Sequence, residues 1–163
     1  MNNFQKNEII GRTKFEKVLE AGKIANWEFS DNTYSTYDCK YWSGEKEYIV
    51  EIKVRNAEHT TYDTWILEES KYTSLMGLCS GNTSALYVNF FSDGYWCIWN
   101  LNNISDPKTK RKSCKKTTAI NTGYTNKTVI ELTLESATYF GKLDNDVVTI
   151  MQYGKKEEEG RND

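Results

Sequence analysis

Histidine is nearly missing from this chain: His59 is the only one, so no histidine cluster exists to hold zinc and no usable histidine base is at hand. The four cysteines, Cys39, Cys79, Cys97 and Cys114, are widely spaced and form no C-x-x-C pair. That excludes the usual zinc frameworks and reads as reduced thiols in a cytosolic protein. No apolar run approaches the ~18 residues of a membrane helix, and the polar N-terminus carries no signal-peptide pattern. The expected location is therefore cytoplasmic, with no membrane partner. Richness in Asn and Lys points to a low-GC bacterial or viral genome. An excess of one charge is also lacking, since 21 basic residues face 23 acidic ones for a net charge of −2. Such a balance argues against a protein that coats nucleic acid, and leaves local patches or a bound metal to make any such contact. Neither a G-x-G-x-x-G nor a G-x-x-x-x-G-K-[ST] motif occurs, so nucleotide-driven chemistry has no support. Internal repeats and low-complexity linkers are absent too.

Aromatic residues are plentiful, with eleven Tyr, six Phe and five Trp, which suggests a β-rich body or stacking surfaces. A length of 163 residues suits one domain, expected over 1–153. The charged end, 154–163, has nothing to bury and is expected to be disordered.

The most informative stretch runs from Tyr37 to Arg55. Tyr37–Trp42 and Tyr48–Val54 are rich in β-forming residues, and Ser43-Gly44-Glu45-Lys46 supplies a two-residue loop with glycine first, the type II′ signature. If Ser43 pairs with Lys46, the register puts Cys39 opposite Val50 and Asp38 opposite Glu51. Lys53 shares their face, because side chains alternate along a strand. The other face carries Cys39, Tyr41, Tyr48, Val50, Ile52 and Val54, an apolar stripe fit for a core. Opposed carboxylates repel, and one pKa normally rises. A hard divalent cation removes the conflict by taking oxygen ligands from both.

Asp38 followed by Glu51-Ile52-Lys53 resembles the signature of the PD-(D/E)xK nuclease superfamily. The resemblance covers about residues 8 to 92, and Tyr37 stands where the family's proline is usual. It implies an α/β (α+β) fold with a restriction-endonuclease-like core: a helix, a β-meander, a second helix and further strands, around a mixed central sheet. It also implies hydrolysis of DNA phosphodiester bonds, RNA not being excluded, with Mg²⁺ (Mn²⁺ as substitute) as cofactor. Asp38, Glu51, the Ile52 position and a glutamate of the leading helix, Glu16 before Glu20, are the implied metal ligands. Lys53 is the implied catalytic lysine, Lys71 an accessory phosphate contact, and a homodimer is a common assembly.

Around that motif, residues 8–21 place Ile9, Ile10, Phe15, Val18 and Leu19 at helical spacing before Gly22. Trp27–Phe29 reads as a strand. Asp63 or Thr64 is expected to cap a helix running to about Cys79, on which Glu68 and Lys71 lie three apart as a surface ion pair or, for Lys71, a phosphate contact. Two interior strands, Ser84–Phe91 and Tyr95–Leu101, flank an Asp93-Gly94 turn. The single proline, Pro107, opens a basic run containing Lys108, Lys110, Arg111, Lys112, Lys115 and Lys116, which reads equally as a phosphate-backbone contact or as a solvated mobile loop. Thr128–Leu134 alternates as a strand, and 137–153 carries no clear pattern. Two other readings stay open beside the nuclease. One is a catalytically silent nuclease-fold protein that binds nucleic acid or a protein partner. The other is an interaction protein in which Lys53 neutralises Glu51 and Lys40 neutralises Asp38.

Overall fold

The computed structural model describes residues 1–32, 34–115 and 123–154, which form a mixed α+β fold of two α-helices and ten strands. Helix α1 spans Asn3–Ala21 and begins five residues before the apolar spacing does. Its start is set by a capping box: Asn2 Oδ1 accepts from Gln5 N–H at 2.9 Å, and Gln5 Oε1 accepts from Asn2 N–H at 3.1 Å, satisfying two amides that a helix N-terminus otherwise leaves orphaned. Gly11, Phe15 and Leu19 form the buried stripe, whereas Ile9 and Ile10 remain exposed.

Strands β1 (Asn26–Phe29), β2 (Cys39–Ser43) and β3 (Lys46–Val54) form an antiparallel meander. Next comes a departure from the expected helix over 63–79. Trp65–Glu68 is a strand, β4, and only Glu69–Gly77 is helical, as α2. Trp65 and Leu67 alternate with half-buried neighbours, a period-two burial that pairing with a partner strand rewards and a helix cannot. Asp63 and Thr64 therefore cap nothing; Glu68 occupies the N-cap position without a side-chain bond.

Strands β5 (Thr83–Phe90) and β6 (Tyr95–Asn100) join through a turn in which Gly94 takes φ 86°. The basic run is a strand as well, β7 (Thr109–Lys115), paired to β8 (Tyr124–Leu132). A last hairpin, β9 (Tyr139–Asp144) and β10 (Val147–Met151), turns on Asn145 and Asp146 at φ 47° and 64°, a two-residue loop with left-handed backbone at both central positions, as in type I′. Residues 155–163, which hold most of the expected disordered tail, lie outside the described residues.

A seven-stranded sheet has the order β1-β2-β3-β5-β6-β9-β10, and a three-stranded sheet the order β4-β8-β7. Within the large sheet β3 and β5 run parallel; its other neighbouring pairs are antiparallel. Helix α1 covers one face, against Cys39, Val50, Leu86 and Val88. A Cβ on Gly11 would lie 2.9 Å from Ile52 Cγ2 and 3.2 Å from Val54 Cγ2, so glycine lets the helix sit directly on β3. The small sheet and α2 cover the other face, packing Trp65, Leu67, Leu75, Ile130 and Leu132 against Ile49, Tyr87 and Trp99. Glu51 and Lys53 fall on this second face at the end of β3. Among the described residues no helix is long and apolar enough to cross a membrane.

Candidate functional site

Gly44 adopts φ 61° while Glu45 does not enter the left-handed region, as the type II′ loop requires. The pairing runs from Ser43 with Lys46 to Cys39 with Val50. At Asp38 the ladder becomes irregular. Its N–H donates to Val50 O at 2.8 Å, and its carboxylate Oδ2 accepts from Ile52 N–H at 2.7 Å. Asp38 thus brackets Glu51 through the residues on either side of it, and both carboxylates line one cleft of about 150 Å³ together with Ile52 and Lys53. Because N–H and C=O of one strand residue face the same edge, the Ile52 carbonyl also faces the side on which Asp38 lies.

Burial and then the Asp38 charge raise the Glu51 pKa to about 7, against the pull of Lys71 and Lys53. Burial raises Asp38 too, opposed by the Ile52 N–H and by the charges of Lys71 and Arg12. Crowding, then the neighbouring Arg55, lowers the Lys53 pKa; since Lys53 stays solvent-exposed, water screens that effect.

Lys71, in the first turn of α2, places Nζ 3.3 Å from Glu51 Oε2 and donates to Thr36 O at 3.1 Å. One ammonium therefore ties α2, β3 and the segment before β2 together, and offsets the carboxylate pair. Lys40 serves a different acid: its Nζ lies 3.3 Å from Glu47, not beside Asp38.

Glu16 is absent from the cleft. The α1 residues that line it are Phe4, Asn7, Glu8 and Arg12, and Glu16 lies a further four residues on, roughly 6 Å along the helix. The resemblance implied Glu16, but the acid that α1 brings to this cleft is Glu8. Arg12 was not anticipated. Its guanidinium donates to Glu8 at 2.7 Å and to Ser30 O at 2.9 Å, while its buried Nε–H finds no acceptor. The i, i+4 spacing of Glu8 and Arg12 was the available signal. Just past the end of β3, Arg55 bonds the Ile66 carbonyl, the Tyr87 hydroxyl and Asn89 Oδ1, fastening β4 onto the large sheet behind Lys53.

On the small sheet, β7 is an edge strand. Lys108, Lys110, Arg111 and Lys112 are exposed along and before it, Lys115 ends it, and Lys116 lies outside the described residues. Lys110 reaches Glu131 at 3.5 Å and Lys112 sits over the Tyr62 ring at 5.9 Å. Lys112 is registered directly opposite Lys127, which pairs with Glu68 at 2.9 Å. Glu68 also acts on Lys53, so charged side chains continue from the cleft onto the ribbon. A shallower, more open depression between Trp27 and Trp42 has Glu28 as its sole charged lining residue.

Among the described residues no group of three or more His, Cys, Asp or Glu side chains converges as a metal site. The donor set at hand is two carboxylates and a backbone carbonyl. That set suits Mg²⁺, which commonly takes one or two carboxylates and keeps several waters. Comparison with family models, with curated proteins and with solved structures finds no match for this chain.

Proposed function

We propose that this protein is an Mg²⁺-dependent nuclease hydrolysing phosphodiester bonds of DNA, with the site at the end of β3. The observation that carries the reading is the Asp38–Glu51 pair: two carboxylates on one cleft, with Lys53 lining it as well, where burial first and then the Asp38 charge raise the Glu51 pKa to about 7. The order of helix, meander and parallel β5 supports the restriction-endonuclease-like core. In this reading Asp38, Glu51 and the Ile52 carbonyl hold the ion, while Glu16 is replaced by Glu8 as the nearest acid of α1. A bound Mg²⁺ or Mn²⁺ supplies Lewis acidity toward the phosphate and a water of lowered pKa. Asp38 is held in place by the Ile52 N–H. The Lys53 ammonium offsets charge on the phosphoryl oxygens, and Lys71, near enough to exchange Glu51 for an incoming phosphate, steadies the same group. Arg111 and Lys112, with Lys108 and Lys110 along the same ribbon, attract the rest of the backbone.

A second reading, a catalytically silent fold that binds nucleic acid or a protein, is favoured by one feature: Lys71 already neutralises Glu51 at 3.3 Å. The deciding experiment incubates the full chain with plasmid and with oligonucleotides in Mg²⁺, Mn²⁺ or EDTA. Cleavage that needs the ion and disappears in Glu51→Gln and Asp38→Asn supports the nuclease. Nucleic-acid binding without cleavage under every condition supports the silent fold.

A further inference from the structure

Two aromatic residues that the core does not use belong to the segments that line the cleft. Phe4, in the first turn of α1, lines the cleft and is 58% exposed. Tyr34 is 94% exposed, on a turn closed by Ser35 N–H to Asn32 O at 3.0 Å and by Tyr34 N–H to Asn32 Oδ1 at 2.9 Å. Asn32 and Ser35 line the same cleft, which places Tyr34 between two lining positions in the chain. Burial explains neither ring. Exposed aromatics beside a site that binds a phosphate are what successive unpaired bases stack on.

The cleft's size and lining point the same way. A space of about 150 Å³, lined by α1 residues and by Asn32 and Ser35, is the size of a phosphate and its sugar. Arg12, on the α1 wall, adds a guanidinium to this lining. Bases of an intact duplex have their faces covered by neighbours and cannot reach Phe4 or Tyr34.

We infer that the site takes single-stranded nucleic acid or an unpaired strand end, with bases stacked on Phe4 and Tyr34 and the backbone held by Arg12, Lys53 and Lys71. This rests on the phosphodiesterase reading and narrows its substrate class.

The test uses the full chain carrying Glu51→Gln, which removes one repelling carboxylate, and measures binding by fluorescence anisotropy. The probes are a labelled 15-nucleotide single strand and a blunt duplex of the same sequence. The single strand is expected to bind about tenfold more tightly. Phe4→Ala and Tyr34→Ala are each expected to weaken it by about tenfold, the scale of one lost base stack, with duplex binding and unfolding temperature unchanged and with Phe4→Trp restoring affinity. Equal or tighter duplex binding overturns the inference, as do alanine variants that leave single-strand affinity untouched. It is likewise overturned if Phe4→Ala instead changes the oligomeric state seen by size exclusion, which makes the Phe4 surface an interface between copies. A preference for single strands in a protein that never cleaves removes the proposed reaction and supports this substrate class. Cleavage that requires a duplex does the reverse.

Discussion

Asp38 has two tasks at once, and they can be separated. Its Oδ2 caps the Ile52 N–H at 2.7 Å, a backbone donor with no strand partner beyond the ladder's end. Removing the acceptor leaves that donor unsatisfied, so Asp38→Ala is expected to cost about 1–3 kcal/mol. Asp38→Asn retains an oxygen there and is expected to lose much less, while losing metal-dependent activity as completely as alanine does. Chemical denaturation of the two variants measures the difference. For Glu51 the sign follows from its raised pKa. The folded state holds its proton more tightly than the unfolded chain, whose ordinary value is 4.5, up to about 7. Glu51 therefore costs no stability at about pH 4.5 and progressively more as pH rises through 7. Glu51→Gln is expected to raise the unfolding temperature in EDTA at about pH 8 and to leave it unchanged near pH 4.5. A stabilisation independent of pH would locate the effect in packing rather than in charge.

At the scale of elements, the hairpin was legible and the helices were less so, for physical reasons. The β2–β3 register depends on a four-residue turn with Gly44 at φ 61°, and so on strictly local chemistry. Strand β4 depends instead on pairing with β8 some sixty residues away, and no local pattern in Trp65-Ile66-Leu67 separates it from the start of α2. The early start of α1 is written in the sequence as Asn2-x-x-Gln5, but the hydrophobic spacing that begins at Ile9 hides it. The β9–β10 hairpin is likewise written in Asp144-Asn145-Asp146, a turn without glycine. Close packing yields a sharper expectation here. A Cβ on Gly141 would lie 2.2 Å from the Thr149 carbonyl oxygen and 2.4 Å from Trp96 Cζ2, one a backbone atom and the other the ring of a fully buried tryptophan. Neither can give way cheaply. Gly141→Ala is expected to cost about 3 kcal/mol or more by denaturant unfolding, whereas Gly11→Ala, which meets only the side chains of Ile52 and Val54, costs nearer 1 kcal/mol. Equal costs would mean that β9 and β10 can part without disturbing the sheet.

Over the whole molecule, what the sequence could not convey is how separate elements converge. Glu8 and Arg12 reach Asp38 because Gly11 lets α1 settle on Ile52 and Val54, a docking that spacing within the helix does not reveal. Lys71 reaches Glu51 because α2 follows β4, whose Ile66 carbonyl Arg55 fastens to the large sheet. The basic run is the clearest case, since it is neither a loop nor a uniform patch. As an edge strand, β7 gains protection from lysine against pairing with other chains, and that alone would explain its charge. Its cations are unequal, however. Lys110 lies 3.5 Å from Glu131, whereas Lys112 sits over the Tyr62 ring and stands across from Lys127, whose own charge Glu68 answers. If nucleic acid runs along this ribbon, Arg111→Ala and Lys112→Ala are each expected to reduce the slope of log affinity against log salt by about one. Both should weaken binding alike across sequences, because phosphate contacts carry no base information. Lys110→Ala is expected to change the slope less, since its charge is already answered by Glu131. Titrations at a series of salt concentrations with two unrelated oligonucleotides separate the cases. Slopes unchanged in all three variants would leave β7 as a protected edge and confine nucleic-acid contact to the cleft.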